Sequence, residues 1–303
     1  EEEGELATVQ VSEALRNAAL RGMSIDGTTI GVSAGWRFPI HSKQILLAHL
    51  PMWLEPRIRN VLQIGLGSAS TLDTLTEYPT LEKIESVEIN AAVVRGAEFF
   101  DESRAFEDPR VRVHVEDAIH YLLSHDTRYD LIIADGKQNS DFSGNAKMLS
   151  QEFYQLVNDR LSEHGIFVQW VGTTSLPDDY EVILRTAASV FPHLNVFFEL
   201  PASTILVGSR QPLDGRSHMA AQDVPPAVFK SLARIQLRRL DLLRFGWMAD
   251  RDALLEAIGP GPINRWSNSI IEFAAYRATA ADRTDSPDAT NLGLLLEARE
   301  LAL

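Results

Sequence analysis

From residue 60 onward, short apolar runs alternate with helical stretches in a steady rhythm, and that rhythm leaves few folds open. Val61-Leu62-Gln63-Ile64, Ile84-Glu85-Ser86-Val87-Glu88, Val111-Arg112-Val113-His114-Val115, Tyr129-Asp130-Leu131-Ile132-Ile133-Ala134 and Ile166-Phe167-Val168-Gln169-Trp170 each read as a strand. Helical patterns follow near 69–77, 91–100, 117–124, 150–162 and 178–190. A strand that re-enters its sheet through a helix runs parallel to its predecessor, so the order predicts a parallel sheet with helices on both faces. The rhythm then breaks. The apolar runs 195–199 and 204–208 have only residues 200–203 between them, too short a link for a parallel crossover. They are expected to pair as an antiparallel hairpin. The fold class predicted is α/β and Rossmann-like, a parallel sheet closed by an antiparallel hairpin.

The flanks read differently. Residues 1–40 suggest a small N-terminal antiparallel β domain: Ala7-Thr8-Val9-Gln10-Val11 alternates, and Asp26-Gly27 between Met23-Ser24-Ile25 and Thr28-Thr29-Ile30 is a hairpin signal. Residues 41–210 read as the Rossmann-like domain, opening with an apolar helix over 42–54. Residues 211–303 read as a C-terminal helical extension. It comprises a polar linker over 211–225, a helical stretch over 226–258, an extended return over 262–277 and a final helix within 282–303.

Composition narrows the function classes. The 303 residues include no cysteine, which excludes disulfides, iron–sulfur ligation and a thiolate nucleophile, and fits a reducing cytoplasm. The formal charge of −14 argues against nucleic acid and anionic membrane as partners and is compatible with a cationic substrate. No apolar run reaches the ~18–20 residues of a membrane span. The chain begins Glu1-Glu2-Glu3-Gly4 rather than with Met, as expected of a processed chain or a fragment. The eight histidines have no metal-ligand spacing, so no metal is expected. Gly31-Val32-Ser33-Ala34-Gly35 has the form of a hydrolase nucleophile elbow but no helix follows it, and it reads as a chance match.

The chemistry concentrates at the ends of the predicted strands. Gly65-Leu66-Gly67-Ser68-Ala69-Ser70 leaves the first strand and opens a helix, so a ligand can approach the backbone there. Glu88 ends the next strand, placed to accept hydrogen bonds from both hydroxyls of a ribose. Together these make a nucleoside-binding pair that fits NAD or S-adenosylmethionine, with Ser70 in the third glycine's place weakening the NAD reading. Asp117, followed by Ala118, can accept a hydrogen bond from an adenine amino group or can cap a helix. Asp135 ends the fourth strand, where an acid can bind or deprotonate an amine, and Asp135-Gly136 is equally a turn.

Further stretches carry a resemblance: QILLAHLP at 44–51, VLQIGLGSAS at 61–70, SVEIN at 86–90, DPRVRVHVEDA at 108–118, YDLIIADGKQN at 129–139, SQEFYQLVNDRLSEHGIFVQW at 150–170 and IEF at 271–273. In this order and spacing they resemble the spermidine synthases (polyamine aminopropyltransferases). The likeness is strongest to the spermidine synthase-like domains often attached to multi-helix membrane segments. The resemblance implies the class I S-adenosylmethionine-dependent transferase fold. It implies that Gly65, Gly67, Ser68, Glu88, Asp117, Ala118 and Gln44 hold decarboxylated S-adenosylmethionine as co-substrate. Asp135, as catalytic acceptor of the amine's proton, would bind the amine with Gln138, Asp141 and Gln169. A homodimer and a cationic amine substrate are further expectations, as is an upstream membrane segment.

The sequence departs from the family at three places. Ser68 stands where the family has an acid for the donor's amino group, Asp135-Gly136-Lys137-Gln138 replaces Asp-Ser-Ser-Asp, and Lys43-Gln44-Ile45 replaces Tyr-His-Glu. The nucleoside half is kept and the amine half altered. Aminopropyl transfer to a di- or polyamine is the first reading. Use of intact S-adenosylmethionine, by methyl transfer or cleavage, and a non-catalytic adenosyl-ligand-binding domain are the alternatives.

Overall fold

The structure, a computed structural model, describes residues 2–3, 7–15, 17–33, 42–135, 143–199, 202–213, 219–273 and 286–303. It divides into two compact units, residues 1–135 with 214–242, and residues 136–213 with 243–303.

The first unit begins with an antiparallel meander, β1 (Glu2–Glu3), β2 (Thr8–Ala14), β3 (Asn17–Ile25) and β4 (Thr28–Val32), joined in sequence order. The predicted Asp26-Gly27 turn joins β3 to β4, both residues at positive φ (46° and 77°), which suits the twist of a two-residue hairpin. Helix α1 (Ser42–Leu54) is apolar nearly all round and correspondingly buried, with Lys43 as its less buried exception. Then come β5 (Asn60–Ile64), α2 (Ser70–Thr76), β6 (Lys83–Glu88), α3 (Ala91–Ala97), β7 (Val111–Val115), α4 (Ala118–Ser124) and β8 (Tyr129–Ala134). The four strands pair in parallel in the order β8-β5-β6-β7. The order reverses direction at β5 and β8, which makes the carboxyl ends of that pair the place where such sheets bind ligands.

The second unit contains α5 (Gln151–Arg160), β9 (Leu161–Gly172), α6 (Pro177–Ala188), β10 (His193–Glu199) and β11 (Ser203–Ser209). The expected hairpin is present: β10 and β11 pair antiparallel from His193↔Ser209 to Glu199↔Ser203, and β11 also pairs antiparallel with β9. The helical reading of 226–258 needs correction. Helix α7 (Val228–Arg234), in the first unit, is only seven residues long. Trp247–Asp250 forms a strand, β12, antiparallel to β10, before α8 (Arg251–Ile258). Four residues without alternation carry no strand signal of their own. Pairing along β10 and the bond from Trp247 Nε1 to Asn195 Oδ1 (2.9 Å) make the strand. The extended return over 262–277 is likewise absent among the described residues, which hold an isolated bridge between Arg265 and Asn268 and a single helical turn over Ile271–Phe273. The chain ends in α9 (Pro287–Ala302). Among the described residues no helix is long and apolar enough to cross a membrane.

Candidate nucleoside and amine site

The residues singled out in the first unit gather at the carboxyl ends of its parallel strands. The turn after β5 is held in an unusual backbone shape: Gly65, Gly67 and Ala69 all have positive φ (86°, 55° and 64°). Glycine takes that conformation freely, whereas Ala69 does so under strain. The turn is fixed from both neighbouring strands. Gly65 donates its N–H to Val87 O (2.9 Å), and Asp135 donates its N–H to Ile64 O (3.0 Å).

Glu88 ties the turn to β6 through its side chain. Its Oε2 accepts from Leu66 N (3.0 Å) and its Oε1 from Asn90 N (3.0 Å). Burial, at 8 % exposure, pushes this carboxyl upward in pKa, while the backbone N–H groups pull the other way. Each carboxylate oxygen accepts more than one hydrogen bond, so the group retains capacity for two adjacent hydroxyls. Ile89 follows it with 51 % of its surface exposed. Val115, opposite Glu88 in the β6–β7 register, is 55 % exposed. These two apolar side chains, open at adjacent strand ends, offer a surface on which a flat base would stack. Sequence reading missed both. The available signal was an apolar residue directly after each strand-end acid or directly before the next one.

Asp117 is exposed and caps α4, its Oδ1 accepting from His120 N (2.8 Å), so the helix-capping role is present in the structure. Ala118 is the buried first residue of that helix. Gln44 is buried in α1. Its carbonyl accepts from Thr71 Oγ1 (3.2 Å), while its side-chain oxygen has no hydrogen-bond partner among the described residues. A buried acceptor left without a donor costs about 1–3 kcal/mol, which a ligand's donor would recover. Ser68 lies under the N-terminal sheet: it is buried, and a Cβ placed on Gly31 of β4 would fall 2.8 Å from its Cβ and Oγ.

Asp135 is engaged. Lys43, in the first turn of α1, places Nζ 2.6 Å from Asp135 Oδ1, with side-chain exposures of 17 % and 10 %. The sequence marked Lys43 as a departure from the family but gave no means of pairing it with a residue 92 positions away. Gln169, in the second unit, is buried there. Its Oε1 accepts from Tyr154 Oη (2.7 Å) and its Nε2 donates to Met148 O (3.2 Å). Gln138 and Asp141, together with Lys137, lie outside the described residues.

A parallel sheet with a glycine turn and strand-end carboxylates at its order reversal defines a Rossmann-like α/β protein. Comparison with known proteins narrows this. The model of the spermine/spermidine synthase domain matches residues 40–201, just over half of the chain, and the chain belongs to that family. The polyamine aminopropyltransferase of Alkaliphilus oremlandii is 37 % identical over 125 residues, 41 % of this chain and 43 % of that protein. The polyamine aminopropyltransferase of Aeropyrum pernix is 33 % identical over 156 residues, half of each. The chain thus matches about half the length of these curated relatives or less. The crystal structure of spermidine synthase from Thermotoga maritima shares the fold, with a TM-score of 0.65 at 22 % identity, over 81 % of this chain and 82 % of that one.

Proposed function

We propose that the chain transfers an aminopropyl group from decarboxylated S-adenosylmethionine to an amine acceptor, in the first instance a di- or polyamine, and releases methylthioadenosine. The observation that carries this reading is a pair of carboxylates on either side of one glycine turn. The Glu88 carboxylate accepts from Leu66 N, and Asp135 donates its backbone N–H to Ile64 O. Family membership and the names of the sequence relatives support it. A homodimer in the cytoplasm belongs to the same proposal.

In this reading Glu88 accepts from the ribose hydroxyls, Ile89 and Val115 flank the adenine, and Asp117 and the Gln44 side-chain oxygen supply further acceptors. The sulfonium provides the leaving group. A neutral amine attacks the aminopropyl carbon bonded to sulfur, the C–N bond forms as the C–S bond breaks, and the electron pair stays on the sulfur of methylthioadenosine. The attacking nitrogen then sheds one proton to Asp135. The protein contributes position and a proton acceptor. The turn over residues 65–69 has no acid of its own, and Ser68 is buried. This favours a second reading in which the intact donor, with its carboxylate, also enters.

The test incubates the chain with each donor, with and without a polyamine mixture, and follows products by mass spectrometry. Methylthioadenosine that needs both the decarboxylated donor and an amine is the expected result, and Asp135→Asn is expected to lower its rate by about 100-fold or more. S-adenosylhomocysteine, or methylthioadenosine from the intact donor alone, would overturn the first reading in favour of the second.

A further inference from the structure

Asp135 is expected to hold an ammonium, and it already holds one. The Lys43 Nζ to Asp135 Oδ1 distance of 2.6 Å is that of a charge-assisted hydrogen bond, and the low exposure of both side chains keeps solvent from screening it. Lys43 therefore supplies from within the chain the contact that a protonated acceptor nitrogen would make. Lys43 offsets the charge of the carboxylate it touches. A second ammonium brought beside Asp135 meets the positive charge of Lys43 as well.

We propose that Lys43 is a specificity-determining residue that turns the amine subsite away from polycations and toward acceptors bearing a single amino group. This rests on the reading of Asp135 as the amine-binding carboxylate and moves the preferred acceptor from a di- or polyamine to a monoamine. The nitrogen that attacks must be neutral, so a monoamine enters the site without charge. A diamine enters with its far nitrogen still protonated, and that charge is repelled by the Lys43 ammonium beside Asp135. The two members of the pair come from separate elements, the first turn of α1 and the end of β8.

Calorimetric binding of butylamine and of 1,4-diaminobutane, each with methylthioadenosine saturating, tests the charge directly. Lys43→Met keeps the length and the apolar stem and removes the ammonium. It is expected to tighten 1,4-diaminobutane by about tenfold while butylamine changes by less than about threefold. Lys43→Arg keeps the charge and is expected to retain the wild-type ranking. Should Met at this position unfold the chain, Lys43→Gln, which can still donate to Asp135, carries the same comparison. Equal changes for both amines, or none, would overturn the proposal.

Turnover separates this from the parent reading. If no amine yields methylthioadenosine but the binding shift appears, aminopropyl transfer fails and the role of Lys43 stands. If methylthioadenosine forms and Lys43→Met leaves the ratio of diamine to monoamine KM unchanged, the role of Lys43 fails alone.

Discussion

Gly31 and Ser68 meet across β4 and the glycine turn at a distance that leaves no room for one more carbon. A Cβ on Gly31 would lie 2.8 Å from both Cβ and Oγ of Ser68 and 3.2 Å from its backbone nitrogen. The first two contacts are closer than van der Waals packing allows, and the turn they would push has positive φ at three alternate residues, 65, 67 and 69. Gly31→Ala is therefore expected to cost about 1–3 kcal/mol in urea unfolding and to weaken methylthioadenosine binding, because the turn must shift to admit the methyl group. Ser68→Gly in the same chain removes both close atoms and is expected to return at least half of the loss. Additive losses in the double variant would show that the two residues do not press on each other. The glycine turn, Glu88 and Asp135 were legible as residues because their chemistry and their strand-end positions coincide. The Gly31–Ser68 contact and the Lys43–Asp135 pair were not legible, since each joins positions far apart in the chain.

The seven-residue helix α7 illustrates how an element too short to stand alone is held by others. Ser231 is buried, donates Oγ–H to Glu77 Oε2 (2.5 Å) and lies 2.7 Å from His49 Nε2, and His49 Nδ1 lies 2.6 Å from Tyr78 Oη. With the Ser231 proton given to Glu77, His49 donates from Nε2 and accepts the Tyr78 proton at Nδ1, which is the neutral imidazole. Three residues further along the same helix, Arg234 pairs with Glu102 (2.5 Å). The arrangement of serine, histidine and tyrosine is sealed from solvent, so its work is to fasten α7 to α1 and to the end of α2. Burial pushes His49 down to about 3. The folded state then binds the proton less well than the unfolded chain, so the stability it contributes is present above pH 6.5 and lost as pH falls toward 3. Glu77 runs the opposite way: burial raises it to about 7, so its contribution is present below pH 4.5 and lost as pH rises through 7. Urea unfolding of wild type and His49→Gln at pH 7 and pH 4.5 isolates the histidine. The stability difference between the two proteins is expected to shift in favour of the variant by ~2–3 kcal/mol at the lower pH. A difference independent of pH would mean that His49 titrates in the folded chain as it does in the unfolded one.

At the scale of the whole molecule, the parallel order and the closing hairpin were readable because strand and helix periods alternate and the link at 200–203 is short. β12 was hidden because its residues take extended form only by pairing with β10, and the place of the last helix was hidden because periodicity says that a helix forms but not what it covers. That last helix is where the consequence is largest. The family model ends at residue 201 and the last stretch that carries the resemblance is 271–273, yet α9 is built into the second unit. Leu295 and Ala298 are fully buried, and α9 packs on α8 and β12. Asn291 Nδ2 donates to Thr173 O (2.8 Å) and Ser175 O (2.9 Å), and Thr173 Oγ1 donates to Asp288 Oδ1 (2.8 Å). A chain ending at residue 285 would lose these three hydrogen bonds, each worth about 1 kcal/mol, and would open apolar surface on α8 and β12 worth roughly 25 cal/mol per Å². Such a truncation is expected to lower the urea midpoint clearly and to expose surface that binds a hydrophobic dye at neutral pH. The double substitution Asn291→Ala and Leu295→Ala is expected to reproduce part of that loss, about 3–5 kcal/mol, in the full-length chain. An unchanged midpoint in both proteins would make α9 a passenger, and the family core would then fold without it.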